Sequence, residues 1–220
     1  KVYRGDFNPT SRKVKSPTSI RIQKDSYAIT LPPGYNEASR QYPVVYFYGI
    51  AEAHHRQRIA GLMIREMLTG TLPSMVLVFL ETNEKSLIDN IIPEIETAFN
   101  TRIGYRFRAL VGFGDGGLAA MQNALIPEMF TACILYNSPI DTTLLTNAIN
   151  ADKGLMKKTW LYISTTDADM EYYTNGKAHI LLKEEDVYHE YRVFDSERDD
   201  LVSDNRLSEA FQFLSEKIHR

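Results

Sequence analysis

Residues 108–130 read RALVGFGDGGLAAMQNALIPEMF. Arg108 to Phe113 form a short apolar run without polar alternation, the pattern of a strand buried on both faces. A glycine cluster follows at once, with Gly112, Gly114, Gly116 and Gly117 surrounding Asp115, and LAAMQNAL then takes a helical pattern. Strand, glycine turn and helix in direct succession describe a tight, backbone-strained turn. Its apex residue decides what the turn can do.

Five more runs of the same kind lie around it: YPVVYFY (42–48), SMVLVFL (74–80), TACILYN (131–137), TWLYIS (159–164) and YHEYRVF (188–194). Upstream, SIRIQKDSYAITLP (19–32) alternates apolar and polar on both sides of a polar Lys24-Asp25 turn, which predicts an antiparallel hairpin. Helical segments separate the strands. In HHRQRIAGLMIREMLTG, Ile59, Leu62, Met63 and Met67 share one stripe and Gly70 ends it. SLIDNIIPEIETAF has Ser86 in cap position, Asp89 three residues on, and Pro93 dividing a short turn from a helix. DNRLSEAFQFLSEKIH closes the chain with Leu207, Phe211 and Leu214 spaced for packing. Strands alternating with helices imply right-handed crossovers, so the expected architecture is one three-layer α/β/α domain over residues 1–220 with a mostly parallel sheet. Between TACILYN and TWLYIS there is room for one short helix and its loops, so no lid over a cleft is expected.

The 220 residues suffice for a substantial single core. A net charge of −3 gives no basic face for a phosphate backbone, which argues against nucleic acid as a partner. Cys133 is the only cysteine, so internal disulfides and cysteine-based zinc clusters are excluded, and its apolar setting predicts an inert buried thiol. No apolar stretch reaches the roughly 20 residues that cross a bilayer. The chain starts at Lys1, which points to a processed or excised chain and to a secreted or periplasmic location. No cofactor is expected. His54-His55 does not make a metal site, because adjacent helical residues point about 100° apart and no third ligand is near. The tyrosines of MEYYTN and VYHEYR suit either a sugar- or aromatic-binding cleft or, more commonly, amphipathic packing at the sheet edge.

The order of these motifs resembles a known family. YAITLPPGY with YPVVYFYG, IIPEIETAF and the glycine turn are similar, from about Ser16 to the C-terminus, to the esterase-D-like esterases of the α/β-hydrolase fold. Feruloyl and acetyl-xylan esterases, S-formylglutathione hydrolases, enterochelin esterases and mycolyltransferases are relatives. The resemblance implies an α/β-hydrolase fold with a serine nucleophile in a Gly-Phe-Ser-x-Gly-Gly turn. Here Gly112 and Gly116 take the two small positions, and Gly114 stands where the family has serine. The family's histidine follows the last strand; the matching loop is DSERDD, with Arg198 in its place. Arginine does not deprotonate in a protein, so it is no general base. The acid is expected at Asp169 or Asp167, after TWLYIS. The oxyanion loop, His-Gly in the family, is Tyr48-Gly49 followed by Ile50, with Asp115 supplying the second backbone position.

Two functions follow from this resemblance. In the first, the triad positions Gly114, Asp169 and Arg198 are degenerate. The chain is then a non-catalytic module that binds a protein partner or a small anionic or carbohydrate ligand, with Gly116 and Arg198 as anion-pocket residues. Asp115 then interacts with the free N–H groups at the helix start and pairs with Arg198. In the second, Asp115 is an unorthodox nucleophile of an active carboxylic-ester hydrolase, with the N–H groups of Gly116 and Ile50 as oxyanion donors. The second reading places Phe113 two residues before the nucleophile, where the turn needs a small residue. The sequence favours the first.

Overall fold

The computed structural model describes residues 21–24, 26–35, 40–81, 87–156, 158–195 and 202–218. Eight strands form one sheet in the order β1-β2-β4-β3-β5-β6-β7-β8. β1 (Arg21–Gln23) and β2 (Tyr27–Thr30) are the antiparallel pair expected from the alternation, and β2 also runs antiparallel to β4 (Val76–Leu80). Asp25, in the turn between them, lies outside the described residues. β3 (Val44–Tyr48), β4, β5 (Arg108–Phe113), β6 (Ala132–Tyr136), β7 (Trp160–Thr166) and β8 (His189–Phe194) are mutually parallel.

The apolar runs of β3 to β6 are buried along their whole length, because helices cover both faces. Val44, Tyr46 and Tyr48 face one core, while Val45 and Phe47 face the other, as the two-residue period of a strand requires. The first core takes α2 (Ile92–Ala98), α3 (Gly116–Ala124), α4 (Thr142–Met156) and α5 (Tyr172–Glu184). The second takes α1 (Ala53–Thr69) and α6 (Asp204–Ile218). These are the three layers expected.

Local signals act as read. Ile59, Leu62, Met63 and Met67 of α1 are buried, and Gly70 ends the helix at φ 82 with its N–H on the Glu66 and Met67 carbonyls. Pro93 sits in the first turn of α2, behind a π turn over Leu87–Ile91. Ser86, its expected cap, lies outside the described residues. Cys133 is fully buried, and burial pushes its thiol pKa far up. The segment before β7 departs from expectation: α4 spans fifteen residues and breaks at Asp152 (φ −159, ψ 94). Asp141 starts α4 by accepting the N–H groups of Thr143 (2.9 Å) and Leu144 (3.0 Å). α5, which the pattern did not reveal, buries Asn175, Ala178 and Leu182 and packs the half-buried Leu181 against the same core.

Candidate functional site

Parallel strands place the C-terminal ends of β3, β5, β6, β7 and β8 at one edge of the sheet, the edge where open α/β sheets carry their sites. The β5 exit is the glycine turn. Gly114 is its apex, at φ +50, with its N–H on the Tyr136 carbonyl (3.0 Å) and its carbonyl accepting the Gly117 N–H (2.9 Å). A β-carbon on Gly114 would meet no atom within 4 Å. The apex is thus strained for an L-residue, yet sterically open.

The neighbouring glycines are closed. A β-carbon on Gly112 would lie 2.5 Å from the Gly117 Cα and 2.9 Å from the Ala120 Cβ, and one on Gly117 would strike the Ser138 hydroxyl. On Gly116 it would run into the Gly49 backbone, and on Gly49 into the Phe113 carbonyl. Gly49 has φ +82 and directs the β3 exit across the turn. The backbone of Tyr48 and Gly49 therefore lies against that of Phe113 and Gly116. Tyr48 and Ile50 are buried, and the Tyr48 hydroxyl accepts from Asn123 Nδ2 of α3 (3.3 Å).

Asp115 is exposed and adopts helical angles (φ −60, ψ −26) at the N-cap of α3. Its carboxylate makes no cap hydrogen bond, because an N-cap side chain reaches the helix N–H groups from extended rather than helical backbone angles. Phe113, directly before the apex, stacks on Tyr136 in the opposite core (4.7 Å, 18°).

Asp167 and Asp169 follow β7 at the same edge. The Asp167 N–H binds the Phe194 carbonyl (3.0 Å), joining the β7 and β8 exits. Asp169 is half-buried and its carboxylate accepts the Glu171 N–H (2.8 Å), which builds the turn into α5. Arg198 and its loop lie outside the described residues. His54 and His55 open α1, and His179 of α5 meets His189 at the start of β8, so neither pair occupies the β7 or β8 exit. Among the described residues no group of three or more His, Cys, Asp or Glu side chains gathers to hold a metal ion.

Arg206 is the residue at this edge that the sequence reading overlooked. It is 2% exposed in the first turn of α6. Its Nη2 donates to Ser164 Oγ (2.8 Å) and Asn137 Oδ1 (3.0 Å), and its guanidinium lies over the Phe194 ring (4.8 Å). Asn137, at the β6 exit, has φ +44 and binds the Ser164 carbonyl through its N–H (2.8 Å). One buried cation thereby joins the ends of β6, β7 and β8. The available signal was a charged residue on the stripe that continues through Ala210, Phe213 and Leu214.

The sequence matches no protein-family profile and no curated protein. Solved structures do match. A ferulic acid esterase superposes with a TM-score of 0.75 at 17% identity, over 90% of this chain and 97% of that one. S-formylglutathione hydrolase from Staphylococcus aureus gives 0.70 at 14%, over 90% and 95%. An IroE-like serine hydrolase from Shewanella oneidensis gives 0.67 at 18%, over 90% and 80%. The chain has the α/β-hydrolase fold.

In an α/β-hydrolase fold the nucleophile stands on the strand-to-helix turn, and one oxyanion N–H comes from the loop after the third strand. The turn at Gly114 follows β5 and the loop at Gly49 follows β3, its parallel neighbour in the sheet. No helix among the described residues is long and apolar enough to cross a membrane.

Proposed function

We propose that this chain is a non-catalytic α/β-hydrolase-fold module, which binds a ligand or partner with a scaffold related to esterases. The observation that carries the proposal is Gly114 at φ +50 on the apex of the β5–α3 turn. The turn has the strained backbone and the two tight flanking glycines that a nucleophile needs, but its apex offers no nucleophilic atom. Arg198 in the matching position after β8 supplies no base, and none of the described histidines lies in the β7 or β8 exit to replace it. Asp169 would have no imidazole to orient, and its carboxylate is committed to the turn before α5.

The steric pattern favours Gly114 over Asp115 as the apex. The positions two before and two after Gly114 are Gly112 and Gly116, and both exclude a β-carbon. Centring the turn on Asp115 puts Phe113 at the first of these positions. One observation supports the alternative of an Asp115-dependent ester hydrolase: this carboxylate is exposed and makes no cap hydrogen bond.

Labelling with a fluorophosphonate probe tests the proposal, since such probes trap an activated serine. The chain should remain unlabelled while an active ferulic acid esterase in the same reaction is labelled. Stoichiometric labelling of a serine in this chain would overturn it.

A further inference from the structure

Away from the edge of the sheet just described, His179 and His189 face each other across α5 and β8. His179 Nδ1 lies 2.7 Å from His189 Nε2, and His189 Nδ1 lies 2.8 Å from the Val187 carbonyl. The protons on both rings follow from that carbonyl. It can only accept, so His189 carries its hydrogen on Nδ1 and presents a bare Nε2. His179 must then donate from Nδ1. His179 is also stacked on Tyr191 (4.8 Å, 18°).

We propose that His179 and His189 form a bidentate imidazole site for a divalent transition ion of tetragonal preference, Cu(II) or Ni(II). A ligand histidine whose other nitrogen donates to a backbone carbonyl has its tautomer and ring orientation set for coordination, and His189 has that arrangement. Imidazole–metal bonds of about 2.0–2.1 Å place two cis nitrogens about 2.9 Å apart at a right angle and about 3.3 Å apart at the tetrahedral angle. From 2.7 Å, with the rings head-on at 4.9 Å between centroids, the right-angled geometry needs the smaller separation, and both rings tilt to aim their lone pairs at the ion. The incoming ion displaces the shared hydrogen. His179 moves its proton from Nδ1 to Nε2 through solvent, so both rings stay neutral and no net proton is released. Water completes the coordination, because no third protein ligand is gathered there among the described residues. The ion would staple α5 to the edge strand β8.

Cu(II) titration of the purified protein, followed by electron paramagnetic resonance and calorimetry, tests this site. The expected result is one tight equivalent whose spectrum shows two imidazole nitrogens. His179→Gln, a half-buried position, should remove one nitrogen coupling and weaken binding about tenfold or more. A double His54→Gln, His55→Gln variant should leave both unchanged. A two-nitrogen signal that survives His179→Gln, or disappears in the double variant, or is absent from the wild type, overturns the proposal. The outcome is independent of the chemistry at Gly114.

Discussion

The backbone of Gly116 lies directly against that of Gly49, with no room for a β-carbon between them. The turn after β5 and the loop after β3 are therefore locked together by the absence of side chains. Gly116→Ala should cost about 3 kcal/mol, because backbone rather than a flexible side chain must give way. Gly61, inside α1, meets nothing within 4 Å. Gly61→Ala should instead stabilise by roughly 0.5–1 kcal/mol. Urea denaturation of both variants checks the contrast; equal effects would remove the steric argument.

Gly114 differs from its neighbours, because its cost to a side chain is conformational and not steric. At φ +50 with open space around it, Gly114→Ser should lower stability by about 1 kcal/mol. Hydrolysis should not appear with the serine, since a hydroxyl without a base is a weak nucleophile. A rise in melting temperature would contradict the strained apex.

Arg206 joins three strand ends from inside the core. Arg206→Leu leaves Ser164 Oγ and Asn137 Oδ1 without that donor and should cost about 3 kcal/mol. Arg206→Lys, with a point charge in place of the planar fork, should fall between leucine and wild type. A leucine variant as stable as the wild type would show the cation to be dispensable.

The His179 pKa is lowered in the folded chain, chiefly by burial and then by His189 and Lys183. The unfolded chain then binds more protons wherever a histidine of ordinary pKa, about 6.5, is charged. His179 contributes no pH dependence well above that value and a growing penalty as the pH falls below it. Stability measured between pH 7.5 and 5 should fall less steeply in His179→Gln than in the wild type. An unchanged slope would mean that His179 titrates alike in both states.

Fold and candidate site were legible to different depths. The runs that became β3 to β7 stood out because both their faces are buried, so neither face required polar residues. The glycines at 112, 114, 116 and 117 marked the turn for the same reason that the structure needs them. α5 did not stand out, since it buries only Asn175, Ala178 and Leu182 and starts with two tyrosines. Arg206 did not stand out in the sequence, and only the three-dimensional meeting of Ser164, Asn137 and Phe194 gives it a core role. Asp167 and Asp169 were legible as carboxylates following β7, whereas the service of Asp169 to the Glu171 N–H depends on turn geometry that a residue name does not carry.

The most direct test of a scaffold without chemistry is hydrolysis of p-nitrophenyl acetate and a feruloyl ester by the purified protein, beside Asp115→Asn. The expected result is no turnover above the uncatalysed rate in either protein. Turnover in the wild type that vanishes with Asp115→Asn would make the chain a hydrolase with an aspartate nucleophile and contradict the central claim.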